Sequence, residues 1–325
     1  MLKYSITIFY GGDDLNFLTI SLIVLGVALL IVLTTMCICF FMTFFSVRRE
    51  EKEEFPVPPG RAYNAHRDQM IRWMREVRDM KCTDVEIRSF DGLTLRGKYY
   101  ECRKGGTIEI LFHGYKGSSY RDLCGGVARC FRLGHNALIV DHRASGRSEG
   151  RVITFGAKEC RDCVDWVNFA VKNIDEDARI IITGISMGAA TVMLAASKEL
   201  PKNVVGVLAD CGYTSTKEII KKVMRDMKLP PNLLYPFARL SAIVFGGFDP
   251  DSDSPIESMR KCRIPVIFFH GDVDSYVPCY MSEQNFDACA AEKKRLVITS
   301  GAEHGLCFPT DQEAYLEALR EFFPY

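Results

Sequence analysis

The chain carries no surplus of charge. Its 41 Lys and Arg balance 41 Asp and Glu over 325 residues, so the formal net charge is zero. No basic stripe is present, and nothing in the composition points to nucleic acid as a partner. Internal repeats and low-complexity tracts are missing too, which excludes a solenoid or a fibrous array. The 13 cysteines are odd in number and scattered without framework spacing, which argues against a disulfide scaffold. They suit reduced thiols that act as small buried hydrophobes. Charge is absent altogether from Leu15 to Val47, where Leu, Ile, Val, Phe and Met dominate.

That run is long enough to cross a bilayer with some tilt. A secretory signal peptide is the rival reading, but it needs a shorter apolar region, a basic start and a small-residue cleavage site. Here Asp13 and Asp14 precede the run, and Cys39-Phe-Phe-Met-Thr-Phe-Phe45 ends it. The run therefore reads as an uncleaved single-span anchor. Lys3 lies before it, whereas Arg48, Arg49, Lys52 and Arg61 follow. By the positive-inside rule the rest of the chain is expected in the cytoplasm. The expected organisation is a tail at 1–14, a transmembrane helix at 15–47, a proline-bearing linker at 48–61 and a globular domain at 62–325.

Within the domain, Ala62 to Met80 reads as a helix with Met70, Trp73, Met74, Val77 and Met80 on one face. Asp84–Phe90 and Leu93–Tyr100 alternate about Asp91-Gly92, the pattern of a hairpin. Strands and helices then take turns. Strands are expected at Thr107–Phe112, Asn136–Val140, Ala178–Thr183, Val204–Ala209, Pro265–Phe269 and Arg295–Thr299. Repeated β-α units predict a mostly parallel sheet with helices on both faces. Polar clusters fall just past the strands' C-terminal ends, where such sheets place their sites. Residues 213–262 break the alternation. Ile219, Ile220, Val223, Met224 and Met227 mark an amphipathic helix, Pro230-Pro231 breaks it, and Leu233 to Phe245 is apolar. This stretch is expected to lie over the site as a small helical cap, the bland alternative being a crossover with a long loop.

The chemistry centres on Gly184-Ile-Ser186-Met-Gly188, set between a β-branched strand and a run of helix formers. Gly-x-Ser-x-Gly in that context is a nucleophile elbow. The turn is so tight that side chains at 184 and 188 would collide, hence the glycines. Ser186 Oγ is lifted above the sheet at a helix N-terminus that can stabilise an anion.

A serine hydroxyl needs a base to take its proton, and the chain offers six histidines. His66 and His135 lie in other elements. His113 and His270 sit in His-Gly pairs at strand ends, where turn packing is the reading. His142, in Asp141-His-Arg, is a candidate to line the site. His304 lies between the last strand and the last helix and follows the serine, as the order Ser…Asp…His requires. It is the expected base. The base needs a carboxylate to fix its tautomer. Asp274 is the leading candidate; Asp272 and Asp210 are rivals that suit turns or caps. The backbone N–H groups of Met187 and Tyr115 are the expected oxyanion donors.

In chain order, His113-Gly114, Asp141-x-Arg143-x-x-Gly146-x-Ser148, Gly184-x-Ser186-x-Gly188, His270-Gly-x-x-Asp274-x-x-Val-Pro278 and Glu303-His304-Gly305 resemble the α/β-hydrolase family over about residues 80 to 325. The Ile-Ser-Met-Gly-Ala-Ala and Ala-Asp-Cys-Gly-Tyr-Thr-Ser wording looks like bacterial, membrane-anchored members of the esterase and serine-aminopeptidase-like type. The resemblance implies an α/β-hydrolase fold, nucleophile Ser186, acid Asp274, base His304, no cofactor and a small-molecule acyl substrate. The chain departs at Ala144, where glycine is common. Cys160-x-x-Cys163 has redox or half-zinc spacing but lies in a predicted helix with no second pair nearby. Asp249-Pro-Asp-Ser-Asp253 lacks the spacing of an EF-hand calcium loop. No metal is expected.

Overall fold

The computed structural model describes residues 12–47, 54–58 and 60–324. The expected tail up to position 11, and linker positions 48–53 and 59, lie outside them. Eight strands form one sheet in the order β1-β2-β4-β3-β5-β6-β7-β8. They are β1 Thr83–Arg88, β2 Thr94–Tyr100, β3 Ile108–Phe112, β4 Asn136–Val140, β5 Ile180–Ile185, β6 Val204–Asp210, β7 Val266–Gly271 and β8 Lys294–Thr299. β2 pairs antiparallel with β1 and with β4, and every later pairing is parallel. β3 and β4 are buried along their whole length. Layers on both faces explain why they read as continuous apolar runs rather than alternating ones.

One layer holds α3 (Arg67–Asp79), α4 (Ser119–Arg132), α11 (Cys307–Thr310) and α12 (Gln312–Phe322). The other holds α5 (Glu159–Asn173) and α6 (Met187–Ala195), with α10 (Tyr280–Ala288) beside β7 and β8. Cys160 and Cys163 are buried in that second core, packed with Trp166 and Val167. The helix expected from Ala62 is split at His66 into α2 (Arg61–Ala65) and α3. Trp73, Met74 and Val77 are buried as the periodicity requires.

The 213–262 stretch contains no strand. It holds α7 (Thr216–Asp226), α8 (Pro231–Ser241), a π-helical turn at Ala242–Gly246 and α9 (Pro255–Met259). Asp249 and Asp251 are taken up by Arg239, and Asp251 also by the Tyr235 hydroxyl. Helix α1 (Gly12–Thr43) is apolar and long, and Asn16–Thr43 qualifies by length and composition as a candidate membrane span. Its C-terminal end is docked on the domain. Met36, Phe40 and Phe44 are buried. Phe40 packs edge-on against Phe245 at 5.6 Å, and Phe44 against Phe248 at 5.4 Å.

Candidate active site

The loops after β3 and β5 leave adjacent strands, and β4 lies on the far side of β3. This is a switch point of an open α/β sheet, where crevices form. At the end of β5 the chain turns into α6 through Ser186, which holds φ 56° and ψ −115°. Such a left-handed φ is strained for a non-glycine residue. Its neighbours allow no bulk. A Cβ on Gly184 would fall 2.1 Å from the Gly188 carbonyl carbon, and one on Gly188 would fall 2.0 Å from Phe112 O. The Ser186 N–H donates to Asp210 O at 2.8 Å, which pins the turn to β6.

Three loops converge on the serine hydroxyl. His304 Nε2 lies 2.8 Å from Ser186 Oγ, and His304 Nδ1 lies 2.7 Å from Asp274 Oδ2. Asp274 Oδ1 accepts the N–H groups of Tyr276 and Val277 at 2.9 and 2.8 Å. Burial alone would raise its pKa. Hydrogen bonds from His270 and His304 outweigh that and hold the carboxyl well below the usual range. With Nδ1 donating to a carboxylate, His304 Nε2 is left to accept the serine proton.

The sequence assigns His270 to turn packing, and the structure adds a contact. Its Nδ1 accepts from the Ser282 hydroxyl at 2.6 Å, and its Nε2–H faces Val277 O at 2.8 Å and Asp274 Oδ2 at 3.2 Å. It therefore braces the carboxylate from behind. The Tyr63 hydroxyl, which no motif flagged, donates to His304 O at 2.9 Å.

The other candidates fall elsewhere. His142 does not line the site: it is buried against His113, whose Nε2 accepts its N–H at 3.1 Å. Burial, then the neighbouring His113, pushes the His142 pKa well down. Asp272 accepts from Gly301 N–H and the Ser300 hydroxyl. Asp210 accepts the Tyr315 hydroxyl at 3.0 Å, and burial raises its carboxyl. Gly114 abuts the serine, since a Cβ there would sit 3.6 Å from Ser186 Cβ. The next residue, Tyr115, shares a cavity with Ser186, and Met187 opens α6. Donor atoms of Cys211, Asp274 and His304 come within 4.8 Å of one another. Burial keeps Cys211 a thiol, whereas a metal ligand must be a thiolate. Ala144 takes φ 61°, the left-handed region that explains why glycine is common there.

The cavity beside Ser186 measures about 470 Å³. Ser186, Tyr115, Tyr276 and His304 line it, with Pro58, Gly60, Arg61 and Tyr63 as the facing wall. None of its lining residues comes from 213–262. The insertion, expected to lie over the site, adds no residue to this cavity's wall, while Lys222 of α7 donates to Ser275 O at its rim. α7 and α8 pack beside the site, in a cluster with Met187, Phe155 and Val277. The end of the linker and α2 provide the wall, α2 being tied to the His304 loop through Tyr63.

A sheet of this topology, with an elbow serine and a histidine-carboxylate pair at the strand ends, defines the α/β-hydrolase fold. The matching family model is described as alpha/beta hydrolase fold and covers residues 110–247. Esterase Pf2001 of Pyrococcus furiosus superposes with a TM-score of 0.62 at 22% identity, covering 76% of this chain and 93% of that one. An uncharacterized Bacillus subtilis protein, YqkD, is 30% identical over 195 residues, 58% of this chain and 62% of its own. Thiohydrolase apmlB of Arthrinium phaeospermum is 32% identical over 133 residues, 39% of this chain and 42% of its own. The alignments thus span less than two thirds of these two relatives. Family model and structural likeness agree on the α/β-hydrolase fold.

Proposed function

We propose that this protein is a membrane-anchored serine hydrolase that cleaves an acyl bond, a carboxylic ester, through an acyl-enzyme. The observation that carries the reading is the unbroken path Ser186 Oγ–His304 Nε2 (2.8 Å) and His304 Nδ1–Asp274 Oδ2 (2.7 Å) beside a cavity. Ser186 Oγ attacks the acyl carbonyl as His304 takes its proton, and Asp274 stabilises the imidazolium. The N–H groups of Met187 and Tyr115 receive the oxyanion, where one such donor is worth about 10²–10³ in kcat. Collapse expels the alcohol, which takes the proton from His304. A water, deprotonated by the same nitrogen, then frees the acid and restores Ser186.

A fluorophosphonate probe tests this. Wild-type protein should be labelled at Ser186, and Ser186→Ala should neither label nor turn over any ester. Wild-type protein that stays unlabelled would replace the enzyme reading with that of a binding protein on a hydrolase fold. A thioester is the second reading, favoured by the similarity to a protein named as a thiohydrolase. Matched oxygen and sulfur esters of one acid, compared by kcat/KM, separate the two.

Helix α1 serves as the anchor, and the domain faces the cytoplasm, because Arg48, Arg49, Lys52 and Arg61 follow the span. Protease added to intact cells should then spare the domain; its degradation there reverses the orientation.

A further inference from the structure

We propose that the outer face of α8 and the π-helical turn seats in the bilayer that α1 spans, so that the domain lies against the membrane surface instead of swinging from a tether. This rests on α1 being a span, not on the chemistry of Ser186. From Asn16 to Ile31 every side chain of α1 is exposed, whereas from Val32 onward a stripe at helical spacing is covered. The uncovered stretch Asn16–Ile31 rises about 24 Å, short of the about 30 Å of a hydrocarbon core. The core therefore reaches into the stretch of α1 that α8 covers.

Phe44 meets Phe248 and Phe40 meets Phe245. Followed back from there, the chain climbs α1 toward the span, and α8 lies alongside it. On the side away from the core, Leu233, Leu240, Ile243, Val244 and Phe245 are 63%, 45%, 43%, 59% and 40% exposed. Clustered exposure of this kind next to a lipid-facing helix marks a membrane contact. Arg239, the cation of α8, is spent on Asp249 and Asp251, so no unpaired arginine opposes insertion.

The closing experiment uses the full chain in phosphatidylcholine vesicles and reads tryptophan quenching by dibrominated acyl chains. The native Trp73 and Trp166 are 5% and 1% exposed, within the cores. Insertion about 5–10 Å deep predicts that the emission added by Val244→Trp falls at least about twofold in brominated vesicles. Phe245→Trp should fall likewise. Ile298→Trp, exposed on β8 at the far sheet edge, should match wild type. Leu25→Trp reports the span itself. If Leu25→Trp is quenched and both cap variants behave like Ile298→Trp, the seating is wrong while the anchor stands. If Leu25→Trp is not quenched either, the span reading falls and takes the seating with it. Cap emission that ignores lipid but shifts on dilution would assign the face to a second copy and also overturn the proposal. None of these outcomes bears on whether Ser186 is a nucleophile.

Discussion

Two histidines in this molecule hold a carboxylate at the same distance. His135 Nδ1 lies 2.7 Å from Glu109 Oε1, and His304 Nδ1 lies 2.7 Å from Asp274 Oδ2. Around the first pair, Arg129 and Thr183 also bond Glu109, and the His135 and Glu109 side chains are 3% and 1% exposed. Around the second, the Asp274 side chain is equally sealed but His304 is 15% exposed beside the cavity. A carboxylate–imidazole bond thus does not by itself make a site. What separates the two is where the histidine lies: the His304 ring reaches a strained serine at the mouth of a cavity, and His135 is closed in among α4, β3 and β4.

The comparison breaks first at Asp274→Asn. The amide keeps a carbonyl oxygen for the Tyr276 and Val277 N–H groups, so the loop stays folded. Its NH₂ then faces His304 Nδ1, which must become an acceptor, and Nε2 turns its proton toward Ser186. Turnover should drop by up to about 10⁴ with little change in melting temperature. A variant that keeps near wild-type kcat would remove Asp274 from the site.

Glu109→Gln should do the reverse. It leaves the Arg129 guanidinium buried without its carboxylate, a change that costs about 3–5 kcal/mol. Thermal melts of the full chain should show the loss, while kcat per folded molecule stays within about twofold, the site being separate. Acid sharpens the contrast. Burial would raise the Glu109 pKa, but Arg129 and His135 outweigh it and hold it near 2. A depressed carboxyl contributes stability above its unfolded pKa of about 4, and that share is lost as pH falls toward 2. Glu109→Gln should flatten this acid limb between about pH 4 and 2. An acid limb as steep as wild type would show that Glu109 carries none of it.

The parallel strands of the sheet and the elbow were legible because both are local: β-branched runs for strands, and a turn too tight for side chains at 184 and 188. Chain order singles out His304 among the histidines, and its ring lies beside Ser186. His142 misled, since Asp-His-Arg at a strand end looks the same whether the ring points at the cavity or under it. Contacts across long separations left no such trace. The Tyr63 bond to the His304 loop spans the whole domain, and Glu109 reads as an interruption in a strand until Arg129 and His135 are folded onto it. The cap was legible as helices but not as to what it covers, because apolar residues do not declare whether they face a substrate, a core or α1.

Asp272 offers the smallest effect and the finest discrimination, being two residues from Asp274 and holding no histidine. It is exposed, and its carboxylate accepts Gly301 N–H at 2.6 Å and the Ser300 hydroxyl at 3.1 Å. These bonds tie the β7 loop to the turn that leads into His304. In Asp272→Asn the side-chain carbonyl still accepts from Gly301, and the Ser300 hydroxyl can rotate to accept from the new amide. Only the charge is lost, at an exposed position, so stability should fall by about 1 kcal/mol or less. The imidazole keeps its orienting carboxylate in Asp274, so kcat should hold within about twofold. Steady-state kinetics and a melt on Asp272→Asn and Asp274→Asn side by side decide the matter. A crippled Asp272→Asn beside an active Asp274→Asn would move the acid two residues toward β7 and leave the fold as described.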